Sequence, residues 1–149
     1  MADASHVGFR SPEHQVDVER GRLRFFAKAI GETNPVYLDE EAARAAGFAA
    51  LPAPPTYPFS LELDQPRPFA MLEALGVRLE RVLHGTQRFK YHKPICAGDR
   101  ITLQAEVQEI FEKKGMQFIV IRTNAVNQHG ETAVEMTKTV VVRQGRTRK

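Results

Sequence analysis

From Gln87 to Val142, apolar residues recur at every second position. Ile101, Leu103, Ala105 and Val107 share one face of a run whose other face carries Thr102, Gln104 and Glu106. Ile119, Ile121, Thr123 and Ala125 alternate with Phe118, Val120, Arg122, Asn124 and Val126. Val134, Met136, Lys138, Val140 and Val142 form a third run. Side chains of a strand point alternately to its two faces, so this period demands extended chain with one face buried. Lys113-Lys114-Gly115 and Gln128-His129-Gly130 fall between the runs, where hairpin turns belong. The pattern predicts three long antiparallel strands plus the segment Gln87–Tyr91.

The first half of the chain has another period. Between Asp17 and Ile30, apolar residues at Val18, Leu23, Phe26, Ala27 and Ile30 follow a helical spacing, and Gly31 is suited to end the helix. Asn34-Pro35 forces a turn, because the residue before proline is pushed out of the helical region. Asp39 is placed to cap a short helix, Glu40 to Ala46, ended by Gly47. Pro52, Pro54, Pro55 and Pro58 make a stiff loop, and a helix starting near Thr56 runs through Leu61 and Leu63. Phe69 to Leu75 is either its kinked continuation or a separate helix. Helices followed by antiparallel strands predict an α+β domain. At 149 residues the chain forms one domain, 1–149, with a disordered basic tail at 144–149.

Composition removes several function classes. The net charge of +3 is weak, and no basic stripe carries interleaved aromatics, which argues against nucleic acid. A lone cysteine, Cys96, cannot form an internal disulfide and reads as a packing residue. No apolar stretch nears the ~20 residues needed to span a bilayer, and Met1 to Arg10 holds no signal-peptide core. These features predict a soluble cytoplasmic protein. His6, His14 and His129 lack metal-ligand spacing, and no dinucleotide or phosphate loop appears, so no metal and no cofactor are expected.

Four segments, in order, carry a resemblance: Gly31-Glu32-Thr33-Asn34-Pro35-Val36-Tyr37-Leu38-Asp39, Ala53-Pro54-Pro55-Thr56-Tyr57, Leu83 to Tyr91, and Lys93-Pro94-Ile95-Cys96-Ala97-Gly98-Asp99. Together they resemble the N-terminal-type subfamily of the MaoC-like dehydratases (hydratase 2). That group is similar to the non-catalytic-type subunit of mycobacterial 3-hydroxyacyl carrier-protein dehydratase. The resemblance implies the hot-dog fold, a curved antiparallel sheet wrapped around a central helix. It also implies (R)-specific hydration of an enoyl thioester or the reverse dehydration, with coenzyme A or acyl carrier protein as the carrier. Catalytic members read Gly-Asp-x-Asn-Pro, an aliphatic residue, then His. Here Glu32 and Tyr37 stand at the positions of the family Asp and His. By the same resemblance Asn34, Pro55, Thr56, Tyr57 and His84 line the substrate site.

Each of these residues also has a plainer reading. Asn34-Pro35 can be an ordinary turn, Glu32 a solvated carboxylate, Tyr37 a packing residue and His84-Gly85 a turn before a strand. A phenol, with an ordinary pKa near 10 against about 6.5 for imidazole, is no ready base at neutrality. Proline at position 55 offers no N–H to a developing oxyanion. The departures favour a degenerate dyad in a subunit that binds acyl-CoA or an acyl carrier-protein thioester, paired with a catalytic hot-dog chain. The alternatives are a self-sufficient hydratase using Glu32, with Tyr37 or His84 as helper, and a non-enzymatic acyl-thioester-binding module. Association as a homodimer or heterodimer is expected in every case, because a curved sheet leaves edges to cover.

Overall fold

The computed structural model describes residues 1–143, so the tail at 144–149 lies outside the described residues. Strands β1 (His14–Asp17), β2 (Val82–Tyr91), β3 (Arg100–Lys113), β4 (Met116–Val126) and β5 (Thr132–Arg143) form one sheet. Its order is β1-β3-β4-β5-β2, with every pairing antiparallel. The helices are α1 (Arg20–Ala29), α2 (Glu40–Ala45), α3 (Tyr57–Leu63) and α4 (Ala70–Ala74). Phe69 to Leu75 therefore makes a helix of its own rather than a kinked extension of α3.

The three long runs are β3, β4 and β5. Their turns follow from the backbone. Lys114 and Gly115, at φ +53° and +71°, join β3 to β4. Positive φ at both central positions is the hairpin geometry whose twist matches the flanking strands. Two features were not foreseen. β1 is four residues long and carries Val16 as its one apolar side chain pointing at the core, too little to show a period. β2 begins at Val82 rather than Gln87, and His84-Gly85 lies inside it instead of forming a turn. A register shift between His84 and Thr86 marks a bulge there, which breaks the alternation a reader looks for.

The bulge depends on Gly85. A Cβ at that position would sit 3.0 Å from Val141 Cγ2 and 3.1 Å from the Thr139 carbonyl oxygen. Gly85→Ala is expected to destabilise the fold by about 1–2 kcal/mol, as overpacking against backbone does. Denaturant unfolding with an unchanged m-value checks it.

One face of the sheet is buried under the helices. α3 sets Tyr57 and Leu61 against Ile101, Leu103 and Met136, with Leu23 of α1 closing the same cluster. Leu72 of α4, followed by Leu75 and Val77, covers Val107, Ile119 and Ile121. A central helix held against the inner face of a long-stranded sheet is the arrangement that the sequence motifs implied. Polar residues share the inner face, among them Glu62 of α3 at 5% exposure, Thr123 of β4 at 2%, and the partly buried Lys138 of β5. Among the described residues no helix is long and apolar enough to cross a membrane.

Candidate active site

The loop after α1 is built by local hydrogen bonds. Asn34 Oδ1 accepts the Val36 N–H at 3.1 Å and so caps the short 3-10 turn Pro35–Tyr37. Asp39 then caps α2 by accepting the Glu41 N–H at 2.9 Å. Glu32 Oε1 accepts the N–H groups of Thr33 and Asn34, each at 2.9 Å. That carboxylate is folded back onto its own loop. Asn34 is exposed, with its side-chain oxygen committed to the turn.

Tyr37 leaves this loop in the other direction. It forms part of the wall of a cavity of about 310 Å³, together with Phe48, Pro55, Tyr91, Pro94 and Val134. The Tyr91 hydroxyl donates to the Pro55 carbonyl oxygen, tying the end of β2 to the approach of α3. Partial burial, and then the neighbouring Tyr37, push the Tyr91 phenol above its ordinary range. Tyr91 is therefore a hydrogen-bond donor, not a base, at neutral pH. His92 and Lys93 stand at the same cavity, and both are engaged by acids. His92 Nε2 lies 2.7 Å from Glu135 Oε2, and Lys93 pairs with Glu131. The His92 contact, reinforced by Lys90, holds the Glu135 carboxyl below its usual range. Lys93 and Asn127 do the same for Glu131.

The remaining residues named from the sequence are dispersed. Pro55 lines the cavity, whereas Thr56 beside it is exposed. Tyr57 is core: it is 3% exposed and meets Phe26 edge-on at 5.2 Å between ring centroids. Pro54, Pro55 and Pro58 have no N–H, and the Tyr57 N–H is donated to the Pro54 carbonyl at 3.0 Å. Among the described residues of that stretch, the Thr56 amide is what remains for a ligand oxyanion. His84 lies elsewhere, with its ring 5.1 Å from that of Phe59. Cys96 is buried, and burial raises its thiol pKa, which suits a packing residue.

The site thus brings Tyr37, Pro55 and the unforeseen Tyr91 together, and leaves Glu32, Asn34, Tyr57 and His84 outside the cavity wall. Tyr91 was hard to foresee because its place depends on a contact with Pro55, 36 positions away in sequence. Chemically the cavity is largely apolar, with the Tyr37 phenol as its available donor, since the Tyr91 hydroxyl is given to Pro55. It can hold a short hydrocarbon group and hydrogen-bond a carbonyl. Among the described residues no cluster of His, Cys, Asp or Glu is arranged to hold a metal ion.

The family model for the FAS1-like dehydratase domain region matches residues 5–136. A UPF0336 protein of Streptomyces avermitilis is 37% identical over 143 residues, 95% of each chain. Among solved structures, the 3R-hydroxyacyl-ACP dehydratase complex HadBC of Mycobacterium tuberculosis superposes with a TM-score of 0.80 at 29% identity. That match covers 91% of this chain and 96% of that one. A MaoC-like dehydratase superposes with a TM-score of 0.85 at 25% identity, and the match covers 95% of this chain and 43% of that longer one. The inner-face helix and five-stranded antiparallel sheet are accordingly the hot-dog arrangement of these dehydratases. With the family model spanning most of its length, this chain belongs to the FAS1-like dehydratase-region family of hot-dog proteins.

Proposed function

We propose that this chain is the acyl-thioester-binding subunit of a 3-hydroxyacyl-thioester dehydratase, running equally as an (R)-specific enoyl hydratase. A second hot-dog chain bearing the intact Asp and His supplies the acid–base chemistry. One observation carries the reading: a phenol, Tyr37, meets the cavity where the family places imidazole, while the carboxylate of Glu32 is spent on its own loop amides. A cavity so lined keeps the means to bind an acyl thioester, and the imidazole in its wall, His92, is engaged by Glu135. The assemblies among its structural relatives support association, since HadBC is a complex of dehydratase chains. So does the sheet itself. β2 is an edge strand, and it exposes Leu83 at 47% and Tyr91 at 51%. An edge of that length invites another strand.

In this assignment the apolar cavity and its Tyr37 phenol position the thioester end, and the carrier is coenzyme A or acyl carrier protein. The partner's base activates water for attack at C3 of the enoyl thioester while its acid completes proton transfer at C2. The test is hydration of crotonyl-CoA and longer enoyl-CoA substrates, followed by loss of enoyl absorbance. The purified chain is expected to be nearly inactive, and co-purification with a hot-dog chain carrying Gly-Asp-x-Asn-Pro-x-His to restore turnover. Strong activity of the chain alone, abolished by Glu32→Gln, would replace this reading with a self-sufficient hydratase.

A further inference from the structure

The inner face holds a polar cluster that the thioester site does not use. Glu62 of α3 accepts a hydrogen bond from the Thr123 hydroxyl and receives the Lys138 ammonium at 3.0 Å. The Lys138 Nζ also lies 5.8 Å from the centroid of the Phe59 ring. The Glu62 side chain is 6% exposed and that of Lys138 23%. A buried ion pair is weak evidence for stability, because desolvating two charges offsets most of their attraction. Its position is more telling. Cavities of about 490 and 140 Å³ flank it, and both have Glu62, Lys138, Pro68 and Met71 in their walls. The pair is the partition between them, and neither cavity shares a wall residue with the Tyr37 cavity.

The chemistry of the partition is balanced. Lys138 has donors beyond the one given to Glu62, and a carboxylate has about four acceptor positions, of which Glu62 uses two. Gln87 adds to this. It is the register partner of Lys138 and lies on the inner face, two residues from Phe89, which packs on the core. Both Gln87 Nε2 and Oε1 are buried without a hydrogen-bond partner, an arrangement proteins rarely keep. The walls around the cluster are apolar over most of their area, with Ser11, Glu13, His14 and Gln65 as further polar lining of the larger cavity. Arg67, at the mouth of the larger cavity, is already paired with Glu73 at 2.6 Å. A carboxylate or ammonium ligand would upset the neutral pair, whereas a hydroxyl both donates and accepts.

We propose that the larger cavity beside the Glu62–Lys138 pair is a binding site for an apolar chain carrying a hydroxyl group, with the pair as its recognition point. The larger cavity alone falls within the ~300–1,000 Å³ of small-molecule sites. The site stands apart from the dehydratase reading, and its test uses neither thioester nor partner chain.

The test is an NMR titration of the ¹⁵N-labelled full chain with 1-octanol. Methyl heptyl ether (equal in heavy atoms but without the donor), octanoate and octylamine are run in parallel. Octanol is expected to shift amides around Met71 and Lys138, leaving those around Tyr37 and Phe48 unmoved. It is expected to bind roughly tenfold more tightly than the ether, as befits hydrogen bonds to charged groups. In the triple variant Glu62→Leu/Thr123→Val/Lys138→Met that preference should fall to parity. Equal wild-type affinities for octanol and ether, or tighter binding of octanoate or octylamine, overturn the hydroxyl assignment whatever the variant does. Shifts confined to the Tyr37 cavity overturn the site itself, and so does an octanol preference that survives in the triple variant.

Discussion

Tyr37→His combined with Glu32→Asp is expected to raise enoyl-CoA hydration by the isolated chain roughly 10²-fold, toward the lower end of what one positioned acid–base group contributes. The physical basis is the identity of the group at the cavity wall. Tyr37 is half-buried and lines the apolar cavity, so on the proposed reading a side chain there meets the bound thioester. Replacing phenol by imidazole moves the ordinary pKa from about 10 to about 6.5, into the range where a base and its conjugate acid are both populated. The Glu32 substitution matters for a different reason. In the wild type, two loop amides at 2.9 Å hold this carboxylate. Aspartate restores the side-chain length that the catalytic members carry at this position, and an Asx turn like that of Asp39 can still hold its carboxylate. The single Tyr37→His variant should therefore gain less than the pair. A double variant no more active than wild type would show that the cavity lacks the thioester geometry as well as the base, which weakens the binding-subunit reading. On the proposed reading the gain is capped at the first turn of α3, where prolines leave the Thr56 amide as the available backbone donor.

The parts of this fold legible in the sequence are those with a long, unbroken period. β3, β4 and β5 have eleven to fourteen residues each, and their buried positions are the alternating ones read from the chain. α1 and α2 were marked by their stops and caps, and Asp39 caps α2 as its chemistry predicts. β1 escaped because four residues carry no statistics, and the start of β2 escaped because a bulge at Gly85 breaks the period. The site was legible only through its resemblance to a family. That resemblance named Tyr37 and Pro55, which line the cavity, but not which way the Glu32 carboxylate turns, since that depends on two backbone amides in a particular turn. The Glu62 cluster did leave a trace. Thr123 and Lys138 occupy apolar slots of regular strands, and Glu62 continues the buried stripe of Tyr57, Pro58 and Leu61 on α3. Glutamate and lysine are almost never fully buried unless paired. Polar residues at apolar positions on facing elements were thus a pairing signal, unreadable until the topology set α3 across β4 and β5.

Removing one member of that cluster is expected to cost far more than removing all of it. Lys138→Met leaves the Glu62 carboxylate on the inner face with the Thr123 hydroxyl as its remaining partner. Breaking a buried pair from one side typically costs about 3–5 kcal/mol. The partial exposure of Lys138 places the expected loss here at about 3 kcal/mol. For a domain of this size that corresponds to a fall in Tm of roughly 6–12 °C. Glu62→Leu/Thr123→Val/Lys138→Met removes every charge and hydroxyl of the cluster while roughly conserving volume. Its stability is expected to return to within about 1 kcal/mol of wild type, because exchanging a whole buried ionic cluster for packed apolar side chains is often neutral or favourable. Thermal and denaturant unfolding of the single and triple variants checks both expectations. A single variant as stable as wild type would mean that water reaches Glu62 freely and that the cluster belongs to the solvated surface. If instead the triple variant stayed as unstable as the single, the cluster would be holding α3 on the sheet. The recovery expected of the triple variant requires that packing alone can do that, which leaves the polar cluster free to be kept for recognition.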